Sequence, residues 1–400
     1  VVTFITATYV ARQVAPSIEE GTAAWGTTMS ASALLVALLA PFFGAIADRS
    51  GRRKSWLGVL SGLTIITGLL LWFVEPDESF LFLALFLAFA GSATFELGTV
   101  FYNTMLPEVA GRDRIGRVSG WAWGLGYAGG LVALGLCLVV FVMPETPPFG
   151  LDKAMAEEVR ITAPLVSIWF LLFGLPLFFF VPERAPRGPL GLSAMRAGLT
   201  DLVNNLKRLP QRPAITRFLL ARMFYTDGLN TLFAFGGIYA AGTLGLTFEE
   251  ILIFAILMNV TSGIGALVFG WVDDWFGSKP TIVVSLMVLI VVGVAILLVE
   301  SKTFFYVFSV ISGIFIGPVQ SASRSLMAHM APPEERTEMF GLYALAGRAT
   351  AFLGPLMVGW LTYLSGSQRV GMSTVVIFFT LGLLVLLPLK LDHQPQAAGS

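Results

Sequence analysis

Apolar runs of membrane-spanning length recur along this chain, and such runs leave few folds open. They cover about 26–47, 56–74, 80–105, 118–142, 163–181, 218–241, 250–272, 280–299, 304–329, 339–363 and 371–389. A helix rises 1.5 Å per residue, so roughly 20 apolar residues cross a hydrocarbon core of about 30 Å. Inside that core every backbone N–H and C=O needs an internal partner, and runs this long meet the demand as helices. Only 12% of the residues are charged, against about 25% in a soluble domain. The chain is therefore expected to be an all-α integral membrane protein whose solvent is lipid. A shorter apolar stretch, residues 1–11, stops at Arg12. It lacks the basic start and small-residue cleavage site of a signal peptide, so it reads as the outer half of a first helix whose beginning is missing. Twelve membrane helices, the first truncated, are expected.

Charge and side-chain chemistry narrow the function. The net charge is zero, which gives no global field for nucleic acid. One cysteine, Cys137, and two histidines, His329 and His393, leave no thiolate cluster or histidine metal site. No nucleophile–His–carboxylate set and no phosphate-binding G-x-x-x-x-G-K-[ST] loop is present, so neither an enzyme nor an ATP-driven pump is expected, and no cofactor.

Loop charges set the topology. Alternating sides from the first helix, one side collects Arg49, Arg52, Arg53, Lys54, Arg112, Arg114, Arg117, the seven cations of 182–217, Lys279, Arg336 and Lys390. The other side receives Arg12, Lys153, Arg160, Lys302 and Arg369. By the positive-inside rule the first side is cytoplasmic, together with both termini. The interval 182–217 is the longest polar one. In it Leu192, Met195, Leu199, Leu202, Leu206 and Leu209 recur at helical spacing, which predicts an amphipathic helix on the membrane surface or on the protein itself.

The two parts flanking that interval repeat. Gly44-Ala45-Ile46-Ala47-Asp48-Arg49-Ser50-Gly51-Arg52-Arg53-Lys54 follows the second span, and Gly270-Trp271-Val272-Asp273-Asp274-Trp275-Phe276-Gly277 follows the eighth. Gly44 and Gly270 are 226 residues apart, with Asp48 and Asp274 in the same register. Two six-helix halves, 1–181 and 218–400, joined by the linker 182–217, are expected to hold a solute site between them near the bilayer midplane.

The 44–54 stretch resembles the loop signature of the major facilitator superfamily, G-x-x-x-D-R-x-G-R-R-K, at every position. The second copy lacks the arginine after Asp274. A narrower resemblance is to the vacuole-effluxer branch (autophagy-related amino-acid exporters) and its bacterial relatives. It is carried by Phe101-Tyr102-Asn103-Thr104-Met105-Leu106-Pro107, Tyr225-Thr226-Asp227-Gly228, Gln320-Ser321-Ala322-Ser323-Arg324 and Phe340-Gly341-Leu342-Tyr343. It implies a bundle of twelve helices that exports amino acids or similar solutes by alternating access, with the loop cluster Gly44, Asp48, Arg49, Gly51, Arg52, Arg53, Lys54, Gly270, Asp274 and Gly277 latching the halves on the cytoplasmic side. Topology enforcement alone is the plainer account of those arginines. Export of drugs or other amphiphiles is the alternative reading, weakened because Leu125-Gly126 stands where drug–proton antiporters carry Gly-Pro; a solute sensor without transport is a third.

A charge inside a span costs roughly 2.5–3.5 kcal/mol on insertion scales, so each one needs a reason. Asp227, about ten residues into its span, and Glu96 are candidate proton carriers, with structural ion pairs as the alternative. Arg348 is placed to hold a substrate carboxylate through its planar fork, or to pair with Asp227 or Glu96. Arg324 and Gln320 line the cavity or close a gate; Asn103, Asn230 and Asn259 are further cavity candidates. Arg222 is expected to snorkel to the cytoplasm. Gly120/Gly124 and Gly126/Gly130 are expected to pack helices closely. The partners implied are the bilayer, a small solute and protons, with a monomer as the default, in a prokaryotic plasma membrane.

Overall fold

A computed structural model describes residues 5–182, 200, 203–204 and 207–390. The predicted surface helix falls from Leu192 to Leu206 largely outside the described residues. Backbone groups that cannot reach water pair within their own helix, and helix is the only regular secondary structure among the described residues. A short helical segment over 7–14 precedes α1 (Ile18–Ser50), α2 (Arg53–Leu70), α3 (Leu81–Thr104), α4 (Ile115–Leu136) and α5 (Thr162–Phe180). After the linker come α6 (Pro213–Leu244), α7 (Phe248–Phe276), α8 (Ser278–Leu298), α9 (Lys302–Met330), α10 (Arg336–Ala346), α11 (Leu353–Ser365) and α12 (Gln368–Leu386). Nine helical stretches of the described residues are long and apolar enough to cross a membrane.

Local chemistry sets the ends. Thr247 and Glu250 cap the start of α7 reciprocally, each side chain taking the other's backbone N–H. Gly51 ends α1 at φ 69° and Gly277 ends α7 at φ 93°, a backbone region that a Cβ disfavours. The two glycines are equivalent positions of the repeated stretch, so both copies stop their helix by the same device.

Two expectations are corrected. The span predicted over 339–363 is not continuous: it is broken between Ala346 and Leu353. Pro355 has no N–H, and its ring would clash with the carbonyl of Ala351 in a continuous helix. The backbone turns there through short-range bonds such as Arg348 N–H to Leu345 O at 3.0 Å and Leu353 N–H to Thr350 O at 2.8 Å. The second correction concerns Gly126 and Gly130, which face open space and pack nothing closely, whereas Gly120 and Gly124 lie against α7 at Ala266, Gly270, Gly263 and Leu267.

The N-terminal helices α1–α5 meet the C-terminal helices α6–α12 along two seams. One joins α1 to α10, the other α4 to α7. Among the described residues, the hydrogen bonds and ion pairs between the two sets run from the basic-loop end to about mid-depth. The two sets are therefore tied at the basic-loop end, and the region between them beyond mid-depth is here called the cleft.

Candidate functional site

At the basic end the repeated glycines do the same job on opposite sides. Gly44 of α1 lies on the backbone of α10, where an added methyl would fall 2.6 Å from the Thr337 carbonyl oxygen. Gly116 of α4 lies on Asp273 and Asp274, and Gly270 lies on the backbone of Arg117. Each seam thus closes only where a Cβ is missing. Arg53, 6% exposed, pairs with Glu108 at 3.2 Å and donates to the Pro333 carbonyl at 3.3 Å, which ties the α2 start to the loop before α10. On the second seam Asp274 accepts from the Arg117 backbone N–H at 3.1 Å and pairs with its guanidinium at 3.3 Å. Lys54 donates to the Val181 carbonyl at 2.8 Å; Arg52 is half-buried. The side chains of Asp48 and Arg49 lie outside the described part of the structure. Outside the spans, Arg212 forms a fork to Glu335, which holds its guanidinium above its ordinary value.

Nearer the middle, α9 carries polar groups into the seam. Arg324, 5% exposed, donates to Ser119 Oγ at 2.9 Å, to the Ser119 carbonyl at 2.7 Å and to Asn103 at 3.4 Å, and lies 5.8 Å from the Tyr102 ring centre. Tyr127 donates to Gln320 at 2.6 Å. Arg324 and Gln320 are therefore tethered to the N-terminal helices in this state. Asn103 is one of those tethers.

Glu96 of α3 and Arg348 form an ion pair at mid-depth, each about a third exposed. Of the alternatives that the sequence left open for these two residues, the arrangement is the mutual pair across the cleft. Arg348 sits in the break between α10 and α11, where backbone dipoles end. The neighbouring helix α6 supplies a charge to each broken end. Arg222 donates to the Tyr343 carbonyl at 2.6 Å and stacks 3.4 Å over the Tyr343 ring, placing a cation at the negative end of α10. The expectation that it snorkels is corrected: its guanidinium is held by this carbonyl and ring. Asp227, 1% exposed, belongs to the α6 face on which Gly354 of α11 packs, so a carboxyl lies at the positive end of that helix. Its Oδ1 has no hydrogen-bond partner among the described residues, and neither do Thr231 Oγ1 one turn on nor Thr350 Oγ1 in the break.

The remaining candidates scatter. Asn230 is exposed. Asn259 donates to the carbonyl of Ala255 on its own helix at 2.8 Å. Sequence reasoning named Tyr127 as a residue that could shape the cavity and missed Ser119 and Thr350. The pair Gly354-Pro355 was the signal that could have located the break, and with it Thr350.

The family described as "Vacuole effluxer Atg22 like" matches residues 21–399. An uncharacterized MFS-type transporter of Bacillus subtilis, YxiO, is 28% identical over 377 residues, covering 92% of this chain and 85% of that protein. Autophagy-related protein 22 of Cryptococcus neoformans is 26% identical over 290 residues, covering 68% of this chain and 49% of that protein. Relative to such fungal proteins the match spans about half their length. Among solved structures, the human organic anion transporter MFSD10 superposes with a TM-score of 0.70 at 20% identity, covering 95% of this chain and 88% of that one. At that identity the likeness concerns the fold.

Proposed function

Because the chain belongs to the vacuole effluxer Atg22-like family of major facilitator transporters, we propose that it exports amino acids or closely similar solutes with proton coupling. It is an integral multi-pass membrane transporter of small solutes, not an enzyme. In this reading twelve spans form two six-helix halves, 1–181 and 218–400, around the linker 182–217. The basic end and both termini face the cytoplasm, and the protein works as a monomer. The cleft then opens outward, and rocking of the halves about the site exposes it to each side in turn. In this reading the membrane is a prokaryotic plasma membrane.

The observation that carries the reading is the Glu96–Arg348 pair. It holds a cation and an anion opposite each other across the cleft, each about a third exposed, at a helix break. A zwitterionic solute offers a carboxylate to Arg348 and an ammonium to Glu96, and so replaces the pair with two new ones. Asp227, buried and with no ion pair among the described residues, is the proton carrier in this scheme, since a carboxyl in that setting is held by a proton or a partner. The basic-end residues Gly44, Asp48, Arg49, Gly51, Arg52, Arg53, Lys54, Gly270, Asp274 and Gly277 form the cytoplasmic latch.

Counterflow in proteoliposomes tests this. Vesicles loaded with unlabelled amino acids should accumulate labelled ones; Arg348→Lys should weaken competition by carboxylate-bearing solutes at least tenfold, because Lys lacks the bidentate fork. Asp227→Asn should keep counterflow and lose its response to an imposed pH gradient. No accumulation of any amino acid in sealed, inserted vesicles would move the substrate to drugs or other amphiphiles.

A further inference from the structure

A second buried carboxyl lies away from the Glu96–Arg348 pair, in the seam between α4 and α7 at the basic end. Asp273 is in the last turn of α7 and 4% exposed. Its Oδ1 accepts from Ser278 Oγ at 2.5 Å, the Ser325 side chain of α9 lies beside the carboxyl, and Oδ2 has no partner in hydrogen-bonding geometry among the described residues. The wall that seals it belongs to the opposite set of helices: a methyl added at Gly116 of α4 would fall 2.6 Å from both Asp273 Cβ and Cγ.

Among the described residues no cation pairs with this group. Arg117 of α4 is engaged with Asp274, the adjacent acid on its own helix. Lys279, at the start of α8, donates to the carbonyls of Leu387 and Leu389 at 2.8 and 2.7 Å. On α9, Arg324 is bound to Ser119 and Asn103, and His329 Nδ1 meets the Ser325 carbonyl at 2.8 Å. An ionised carboxylate walled from water with neither cation nor full hydrogen bonding is too costly to keep, and a proton removes the cost.

We propose that Asp273 is a proton-binding site of the α4–α7 seam, filled while the basic end is closed and emptied to water when Gly116 withdraws. The exchange balances as a carboxylic acid giving a carboxylate and one proton to the aqueous phase on the basic side, and the reverse on closing. Closure of that end then takes up a proton, so alkaline solution favours opening. This site is independent of Asp227 and holds whatever solute the cleft carries.

The test uses the whole chain with Cys137→Ala and spin labels on cysteines placed at the exposed positions Asp113 and Glu334, one on each set of helices at the basic end. Distances are measured by pulsed electron resonance in lipid nanodiscs at pH 5.5 and 8.5. The expected result is a longer-distance population that grows with pH in the parent and is absent at both pH values in Asp273→Asn. Asp273→Ser, smaller and equally unable to ionise, should behave as Asp273→Asn. A parent-like pH response in either Asp273 variant overturns the proposal. Loss of the response in Asp227→Asn together with its survival in Asp273→Asn would overturn it in favour of the central carboxyl.

Discussion

The seam between α1 and α10 and the seam between α4 and α7 are built from matching stretches of sequence, yet they are charged in opposite ways. In the first, Gly44 meets bare backbone at Thr337, and the cation of the signature loop, Arg53, reaches out to Glu108 and Pro333. In the second, the loop has lost its arginine: Trp275 follows Asp274 and is 70% exposed. The cation comes instead from the facing helix, as Arg117. The stretch that lacks the arginine after its aspartate therefore carries an ion pair across the interface, with the cation on the facing helix, whereas Arg53 pairs with an acid of its own set of helices.

The comparison breaks first at the glycines. Gly44→Leu and Gly116→Leu each force a side chain into opposing backbone or carboxyl groups, an overpacking of about 1–3 kcal/mol that falls only on the closed state. Counterflow should drop about tenfold or more in both, while Gly126→Leu, which meets open space, stays within about twofold of the parent. Equal losses at all three positions would mean that these glycines serve packing within one set of helices and not seam closure.

The ion pairs give the next effect. Removing one member of a buried pair costs about 3–5 kcal/mol. Arg53→Ala should approach that range in denaturant unfolding of the detergent-solubilised protein, since its side chain is 7% exposed. Arg117→Ala should cost less, about 1–2 kcal/mol after solvent screening, because its guanidinium is 28% exposed and its backbone N–H still serves Asp274. The reverse order would place the greater strain on the second seam.

The end away from the basic loops supplies the smallest effect. Lys302 and Glu250 pair at 2.7 Å there, and the Lys302 hydrogen bond holds the Glu250 carboxyl below its ordinary value. A carboxyl lowered in the folded state adds stability above the unfolded value, near 4.3, and loses it as pH falls through the lowered one. Lys302→Ala should therefore lower Tm by only about 1 °C at pH 7 and by nothing measurable near pH 3. A pH-independent loss would assign the effect to packing of the Lys302 stem.

Much of this was legible in the sequence. Helix positions followed from the apolar runs, since lipid forbids unpaired backbone. The seam glycines were visible as a repeat at 226 residues. The break at 347–352 was present in Gly354-Pro355, but the apolar pattern runs through it and hides it. The partner of Arg348 was left between two acids because the order of helices in space is not a property of any one helix.

The sequence by itself determined that the chain is a helical membrane protein with a duplicated loop, because transfer of backbone and charge into hydrocarbon is decided residue by residue. Only the tertiary structure decided which charges meet. Glu96 found Arg348, Arg222 and Asp227 found the two ends of a broken helix, and Asp273 found no cation among the described residues. The physical reason is that Coulomb and hydrogen-bond energies act over a few ångströms between groups far apart in the chain, and their separation is fixed only when the helices have packed.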